Sequence, residues 1–97
     1  MAKIKISREA RADLKDIFEY THQTWGRAQA DKYIGMIESA CHFLARNPSA
    51  GRSQEQLVSN LKSYPVGKHN VFYRDKQNTI EIVRVLHQAM EASRHIK

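Results

Sequence analysis

The stretch that decides the fold runs from Leu61 to His87 and reads LKSYPVGKHNVFYRDKQNTIEIVRVLH. Aromatic and β-branched residues, which favour strands, are concentrated in two runs at residues 71–73 and 80–86. The four polar residues 75–78 between these runs have the length and composition of a hairpin turn. An earlier run, residues 61–66, contains Pro65, which cannot donate to a strand ladder, so we expect this strand to be an edge or to be kinked. The stretch therefore predicts an antiparallel sheet, which we interpret as the working surface.

Cationic side chains recur inside these apolar strands. They are Lys62, Lys68, Arg74 and Arg84, accompanied by the histidines His69 and His87. A charge within a strand must reach water, a partner or an anion, because burying an unpaired charge is costly. One interpretation is a surface for an anionic partner. The other is that Arg74 and Arg84 pair with Glu81 or Asp75, or hold the C-terminal tail, because ion pairs on small sheets are common.

Upstream of this stretch, the sequence predicts a short strand and two helices. Ile4 and Ile6 alternate with lysines, which indicates a strand with one apolar face. Helices are predicted at residues 8–24 and 27–46, with Ser7 as the N-cap of the first and Gly26 between them. Such a tight connection predicts an antiparallel helical hairpin. We expect its apolar stripes to pack on the sheet through Leu14, Ile17, Phe18, Ile34, Ile37 and Leu44.

The remaining segments complete the predicted architecture. Residues 48–60 are polar and aperiodic and indicate a connecting loop, with a helical turn near residues 55–57. Residues 88–97 indicate a short terminal helix or an ordered tail. The sequence therefore predicts one α+β domain spanning residues 1–97, in which a short N-terminal strand precedes a helical hairpin packed on a three- to four-stranded antiparallel sheet.

The charge of the chain is unevenly distributed. Its formal net charge is +6 and its pI is about 9.7. Residues 61–97 hold seven Lys and Arg against three Asp and Glu, whereas residues 1–60 hold nine against seven. The more basic C-terminal part suits nucleic acid, an acidic protein, or a protein that itself holds nucleic acid. A surface charge that merely keeps the domain dispersed is the alternative interpretation.

Several classes of protein are excluded by composition. A single cysteine, Cys41, excludes an internal disulfide framework and a cysteine metal site, and the five histidines lack metal-ligand spacing. Cys41 lies on the apolar stripe of the second helix without a suitable activating partner, so it is not expected to be a nucleophile. We expect no signal peptide, because the first residues lack a long apolar h-region, and no membrane span, because no apolar run approaches roughly 20 residues. We expect a cytoplasmic protein without a metal, a cofactor or a membrane partner.

Five groups of residues resemble the ParE branch of the RelE/ParE toxins of bacterial type II toxin–antitoxin systems. They are ADLKDI at 12–17 with Tyr20, WG at 25–26 followed by AQADKY at 28–33, LARNP at 44–48 with GR at 51–52, SYPVGKH at 63–69 with FYR at 72–74, and IEIVRVLH at 80–87 with Met90, Arg94 and His95. Each group is short, but together they cover nearly the whole chain in order. The resemblance implies a helical hairpin on an antiparallel sheet, which is the architecture predicted above.

The resemblance also implies a toxin that a cognate antitoxin neutralises in a hetero-oligomer. ParE-like members are expected to act on DNA gyrase, whereas RelE-like members cleave messenger RNA on the ribosome. Under the nuclease alternative, Arg74, Arg84 and His87 would be catalytic, because RNA cleavage needs a proton-transfer group and cations for the charged transition state. RelE-like nucleases typically carry a tyrosine near the C-terminus, and no tyrosine follows Tyr73 here.

The missing tyrosine favours a non-enzymatic inhibitor of gyrase over the nuclease. We therefore predict a target-binding set made of Lys62, Lys68, His69, Arg74, Arg84 and His87. Direct binding to nucleic acid is left open, and a plain nucleic-acid-binding module is a third interpretation.

Two further expectations concern the surface. A domain of this size leaves some apolar surface uncovered, so we expect an exposed apolar groove that an antitoxin segment fills. Tyr20 and Trp25 either bind a partner or, as aromatics near a helix-hairpin turn more often do, close the core.

Overall fold

A computed structural model describes residues 2–96. These residues fold into five strands, two long helices and one short 3-10 helix. In chain order these are β1 (Lys3–Ile6), α1 (Arg8–Trp25), α2 (Arg27–Arg46), β2 (Arg52–Ser53), β3 (Leu61–Val66), β4 (His69–Lys76), β5 (Thr79–His87) and the 3-10 helix Ala92–Arg94. Both long helices end within one residue of the predicted bounds. The predicted loop contains a turn at residues 55–57, and the tail is a short helix as expected.

The sheet has five strands in the order β1-β5-β4-β3-β2 and is mixed, so the expectation of a three- to four-stranded antiparallel sheet was wrong in number and in one pairing. β1 lies parallel to β5, with Ile4 opposite Ile80, and β2 adds two residues antiparallel to β3. A parallel pair needs a long connection, and here that connection is almost the whole chain. No local pattern in the sequence specifies such a pairing. A two-residue strand is likewise too short to show a period.

A β-bulge interrupts the central pair of strands. Tyr73 lies opposite Ile82 while Phe72 lies opposite Arg84, so Val83 is the extra residue on β5. Bulges bend a strand and redirect its side chains. Here the bulge lies beside the start of α1, whose N-cap Ser7 donates from its hydroxyl to the carbonyl of Val83 at 2.8 Å. The bulge therefore joins the sheet to the helical hairpin.

Each face of the sheet carries its own apolar cluster. On the first face, α1 and α2 pack through buried residues including Ile17, Ile37 and Leu44, with Leu14 and Ile34 partly buried beside them, which confirms the predicted contact. Of the predicted packing residues, Phe18 is only half-buried, and its ring stacks on the ring of His22. The opposite face holds a smaller cluster of buried residues, made of Leu61, Phe72, Leu86 and Ile96. The C-terminal tail thus covers a face that would otherwise be open.

The turns depend on two glycines with positive φ. Gly26 has φ +91° between the helices and donates its N–H to the His22 carbonyl at 2.9 Å, which confirms its expected role at the end of α1. Gly67 has φ +56° in the two-residue turn between β3 and β4. A Cβ at Gly67 would lie 2.7 Å from the ring of Tyr33, so the turn and α2 approach closely.

Within residues 2–96, neither long helix is apolar enough to cross a bilayer.

Candidate functional site

The predicted target-binding residues do not form one surface. Successive side chains of a strand point to opposite faces, and this alternation separates them. Arg74 and Arg84 line a cavity on the face covered by the tail. Lys62 follows buried Leu61 of that face and therefore points to the helix side, beside β2. Lys68, His69 and His87 lie together at the far end of the sheet.

Arg84 is held by Asp13 of α1. Its Nε and Nη2 donate to the two carboxylate oxygens of Asp13, both at 2.8 Å, and its Nη1 donates to the His95 carbonyl at 3.1 Å. The Val85 N–H beside the bulge donates to the same carboxylate at 2.9 Å. The hydrogen bonds that Arg84 donates to the Asp13 carboxylate raise the pKa of Arg84 further above its ordinary value. Arg84 thus holds the tail, as one interpretation of the sequence proposed, but its carboxylate partner is Asp13 rather than Glu81 or Asp75.

His69 and His87 form a small titratable cluster with Tyr33. The Tyr33 hydroxyl lies 2.6 Å from Nδ1 of His69 and accepts the Lys68 N–H at 3.0 Å. The rings of His69 and His87 meet edge to face with centroids 5.2 Å apart, and Nδ1 of His87 accepts the Ala89 N–H at 3.0 Å. Burial, and secondarily His87, lower the pKa of His69 below 6.5. The cluster favours neutral His69 and joins α2 to the β3–β4 turn.

The three residues of the nuclease alternative are not assembled. His87 lies opposite His69 at one end of β4, whereas Arg74 lies opposite Glu81 near the other end. His87 lies six positions after Glu81 along β5, which is roughly 20 Å at about 3.3 Å per residue. The guanidinium of Arg84 is occupied by Asp13. General acid–base catalysis requires groups within hydrogen-bond reach of the same reacting atoms, and this trio does not meet that requirement.

An open apolar groove of about 720 Å³ lies between α2 and β3. Met36 and Ala40 of α2 face Tyr64, Pro65 and Val66 of β3 across it. β2 pairs only with residues 62 and 63 of β3, so no strand within residues 2–96 covers the edge at 64–66. The expected exposed apolar groove is therefore present, beside an uncovered strand edge.

Two aromatic residues of α1 are more exposed than expected. Tyr20 is 67% exposed and Trp25 is 71% exposed, so the prediction that they close the core was wrong. They lie in the last two turns of α1, where Tyr20 is three residues after buried Ile17 and Trp25 is four residues after buried Thr21, so both flank the buried stripe. Burial raises the pKa of the Cys41 thiol to about 11, with a smaller contribution from Glu38. Cys41 is therefore a protonated core residue near neutral pH, consistent with its position on the apolar stripe.

Sequence reasoning missed two residues that organise these regions, Asp13 and Tyr33. Asp13 lies three residues after buried Ala10 and four before buried Ile17, so it interrupts the apolar stripe of α1. An acid on an inward-facing helix position is a signal that predicts a partner. Tyr33 lies in α2, and no pattern in the sequence indicates that its hydroxyl accepts the Lys68 N–H of the β3–β4 turn. Residues 2–96 contain no group of His, Cys, Asp and Glu side chains arranged to hold a metal ion.

Comparison with known proteins first defines the class. A solved structure of the chromosomal ParDE TA system from P. aeruginosa superposes with a TM-score of 0.76 and 26% identity, over 90% of this chain and 96% of that chain. The toxin–antitoxin complex RelBE2 from Mycobacterium tuberculosis gives 0.60 and 26% identity, over 89% and 96%. The fold is therefore that of the RelE/ParE toxins, with two helices on a five-stranded mixed sheet.

Sequence comparison then gives the family. The model of the ParE toxin of the type II toxin–antitoxin system parDE matches residues 4–92. Toxin ParE1 of Caulobacter vibrioides is 38% identical over 96 residues, covering 99% of both chains. The chain belongs to the ParE toxin family of type II toxin–antitoxin systems.

Proposed function

We propose that this ParE-type toxin inhibits DNA gyrase by non-covalent binding and is neutralised by an antitoxin that occupies the α2–β3 groove. The observation that supports inhibition by binding, without catalysis, is that the Arg84 side chain is already bound within the protein. Its guanidinium is bound through three nitrogens within the protein, so it is not available to stabilise a reacting phosphate. A binding inhibitor needs a shaped and charged surface rather than an assembled acid and base. Gyrase is a cytoplasmic enzyme, so the proposal places the toxin in the cytoplasm.

The region around Lys68 is the part of the predicted target-binding set that we place against gyrase. Lys68 is exposed at the β3–β4 turn, and His69 and His87 lie beside it, half-buried. Tyr33 fixes the turn by accepting the Lys68 N–H and contacting His69, so the side chains project from a rigid base. Lys62 and Arg74 add positive charge elsewhere on the sheet. Arg84 contributes indirectly, by holding the sheet, the tail and α1 together.

The groove fits an antitoxin segment for two reasons. Its walls are apolar, with Met36 44% exposed on α2 and Pro65 exposed on β3. The adjoining edge of β3 is not paired by β2 at residues 64–66, where Pro65 lacks an N–H but keeps its carbonyl as an acceptor for an added segment. A disordered antitoxin segment could therefore fold on this surface and bury both. The groove is next to the Lys68 turn, since Val66 and Gly67 line it. An antitoxin bound there would shield part of the proposed gyrase-binding region.

The test compares two activities of the purified toxin. Gyrase supercoiling is measured beside translation-coupled cleavage of messenger RNA, with and without the antitoxin encoded by the neighbouring gene. We expect loss of supercoiling without RNA cleavage, and recovery when the antitoxin is added. Cleaved messenger RNA with supercoiling unaffected would refute the gyrase proposal. Failure of both neighbouring gene products to bind would refute the antitoxin proposal.

Charge reversal tests the target-binding region. We expect Lys68→Glu to reduce gyrase inhibition strongly, because it reverses an exposed charge at the proposed contact. Lys15→Glu, on the exposed face of α1, is the matched control and should retain inhibition. Arg84→Glu is unsuitable, because it would place a carboxylate against Asp13 and destabilise the fold. Equal effects of the two lysine reversals would contradict a contact at the turn.

One observation favours the endoribonuclease as a second candidate function, namely the close pair of histidines. His69 and His87 have ring centroids 5.2 Å apart, and two adjacent imidazoles can supply a base and an acid. If that pair cleaves RNA, His87→Ala should slow cleavage by roughly 10²–10⁴-fold. Under the gyrase proposal the same variant should weaken inhibition only modestly, because no proton transfer depends on the ring.

A further inference from the structure

Three lysines lie together on the face of the sheet that the C-terminal tail covers in part. The two isoleucines of β1 pack into the cluster beneath the helices, so Lys3 and Lys5 point to the opposite face. Lys3 lies opposite Thr79 of β5, and Thr79 lies opposite Lys76 of β4. Residues directly opposite each other in neighbouring strands point to the same face. Lys3, Thr79 and Lys76 therefore form one row across three strands, with Lys5 two positions further along β1.

We call Lys3, Lys5 and Lys76 the lysine patch. Neighbouring strands lie about 4.8 Å apart, so the backbones of Lys3 and Lys76 are separated by roughly 10 Å. Lys3 and Lys5 are separated by roughly 7 Å along their strand. All three lysines are exposed, and Lys3 and Lys5 take part in no ion pair within residues 2–96. The lysine patch is therefore a flat array of cations that reach water.

The excess positive charge of this region belongs to the lysines. The neighbouring cavity holds two arginines and three carboxylates, which are those of Arg74 and Arg84 and those of Glu9, Glu81 and Asp13. The cavity therefore does not attract anions by itself. With the three lysines added, the region holds five cations against three carboxylates, a formal excess of two. Glu81 lies 3.3 Å from Lys76, but this lysine is 51% exposed, and an exposed ion pair is weak enough for another anion to compete.

The composition of the lysine patch separates the classes of anionic partner. Protein interfaces have apolar cores that are rich in aromatic residues and poor in lysine. The three lysines and Thr79 offer no apolar side chain to such a core. Phosphate groups of a nucleic acid instead attract exposed ammonium groups on flexible stems, without an apolar contact. Thr79, half-buried between Lys3 and Lys76, adds a hydroxyl of the kind that donates to phosphate oxygens.

The positions of the aromatic side chains favour a duplex over a single strand. Proteins that bind single strands stack the bases on exposed aromatic rings. The most exposed rings within residues 2–96 are those of Tyr20, Trp25 and Phe43, and all three lie on the helices, across the sheet from the lysine patch. A duplex presents phosphates at its surface, with one negative charge per about 1.7 Å of helix axis. A flat array of lysines matches that backbone without contact to the bases.

We propose that the lysine patch binds the phosphate backbone of double-stranded nucleic acid without reading its sequence. Phosphate oxygens are the same at every base pair, so lysines that contact them position a duplex and carry no sequence information. The lysine patch and the α2–β3 groove lie on opposite faces of the sheet. Binding of a duplex is therefore separate from the groove and does not depend on whether gyrase is the target.

Equilibrium binding to a labelled DNA duplex tests the proposal on the full chain. Fluorescence anisotropy is measured between about 50 and 200 mM salt, with two duplexes of unrelated sequence. If the three lysines contact three phosphates, the association constant should fall roughly 40-fold over this range, and equally for both sequences. The absence of saturable binding at the lower salt concentration would overturn the proposal, as would a clear preference for one sequence.

A charge-removing variant locates the contact. Changing Lys3, Lys5 and Lys76 together to Gln should weaken duplex binding at the lower salt concentration by about tenfold or more and remove most of the salt dependence. The matched control changes three exposed cations of the helices to Gln, namely Arg11, Lys15 and Arg46, and should leave binding unchanged. Equal weakening by the two variants would mean that net charge, and not the lysine patch, attracts the duplex. If the triple lysine variant does not fold, the single substitutions decide, since each should lower the log–log salt slope by about 0.9.

Competitors distinguish the classes of partner. Unlabelled DNA duplex, RNA duplex, single-stranded DNA, poly-L-glutamate and vesicles of anionic lipid are added at equal concentrations of negative charge. We expect one of the two duplexes to compete most strongly, and the comparison of DNA with RNA identifies the source of the phosphates. Stronger competition by poly-L-glutamate would assign the lysine patch to an acidic protein, and stronger competition by vesicles would assign it to a membrane surface. Either result, or stronger competition by the single strand, would overturn the proposal.

Discussion

Replacing Asp13 with alanine should destabilise this protein far more than an ordinary helix-surface substitution. Asp13 accepts three hydrogen bonds, two from the Arg84 guanidinium and one from the Val85 N–H at the bulge. Its side chain is 13% exposed and that of Arg84 is 20% exposed, so water can restore only part of what is lost. Breaking a buried ion pair from one side costs about 3–5 kcal/mol. Allowing for the residual exposure, we expect Asp13→Ala to lower the free energy of unfolding by about 2–4 kcal/mol.

The size of this effect can be measured by urea denaturation. Far-ultraviolet circular dichroism is the suitable probe, since the single Trp25 is 71% exposed and reports poorly on folding. The matched control is Asp16→Ala, which removes the same charge from an exposed position of the same helix and should cost less than about 0.5 kcal/mol. A loss below about 1 kcal/mol for Asp13→Ala would refute the reasoning.

A double-mutant cycle separates the ion pair from other effects of the substitution. Asp13→Ala leaves the Arg84 guanidinium without its carboxylate partner. Adding Arg84→Met removes that guanidinium and keeps most of the side-chain volume. Apolar replacement of both members of a buried pair is often nearly neutral. The double variant should therefore be more stable than the sum of the single changes predicts, by roughly 1.5–3 kcal/mol. Strict additivity would mean that the two side chains do not interact energetically.

Three further predictions follow from single positions. Ile37 is 1% exposed, so Ile37→Ala should lower the free energy of unfolding in urea melts by about 2–5 kcal/mol. The control Met36→Ala, on the open groove, should lower it by less than about 1 kcal/mol. Similar losses in the two variants would mean that Ile37 is not in the core. Gly67→Ala should cost about 1–3 kcal/mol, because φ is +56° and the new Cβ would lie 2.7 Å from the ring of Tyr33. The control Gly35→Ala, whose new Cβ has no atom within 4 Å, should stabilise α2 by about 0.5–1 kcal/mol. Equal shifts of the thermal midpoint in the two variants would contradict this prediction. The pKa of His69 is lowered by burial and by the neighbouring histidine, so the folded state disfavours protonation and stability should fall as pH drops below 6.5, then level off beneath the folded-state pKa. Urea melts across that range measure how steeply the free energy of unfolding changes with pH. This dependence should be weaker in His69→Gln. An unchanged dependence in that variant would contradict the lowered pKa of His69.

The local elements of the fold were predictable because their signals are periodic and short-ranged. Ser7 caps α1 by accepting the Ala10 N–H at 3.0 Å, and Gly26 ends α1 with a positive φ, as their residue types indicate. The apolar stripes of the helices repeat at the helical period, and the strand runs of residues 71–73 and 80–86 contain the residue types that favour a sheet. The family resemblance could also be detected, because its motifs lie in order along nearly the whole chain.

The arrangement of the candidate site could not be predicted in the same way. The sequence identified the strand cations, but a shift of one position along a strand moves a side chain to the other face, and the bulge at Val83 changes the alternation on β5. Arg74 and His87 were therefore grouped by composition, whereas the structure places them near opposite ends of the sheet. The pair formed by His69 and His87 depends on the register of β4 against β5, which the turn and the packing together determine.

The sequence by itself determined which segments are helix and strand, which faces are apolar, and to which family the chain is similar. The tertiary structure alone decided that β1 lies parallel to β5, that Arg84 meets Asp13 across 71 residues, and that Arg74 keeps a buried donor free. The physical reason is the range of the forces involved. Caps, turns and amphipathic periods act between residues a few positions apart, so they can be read from the chain. Contacts between distant segments form only where packing of the whole core brings them together, and no local pattern records their distances.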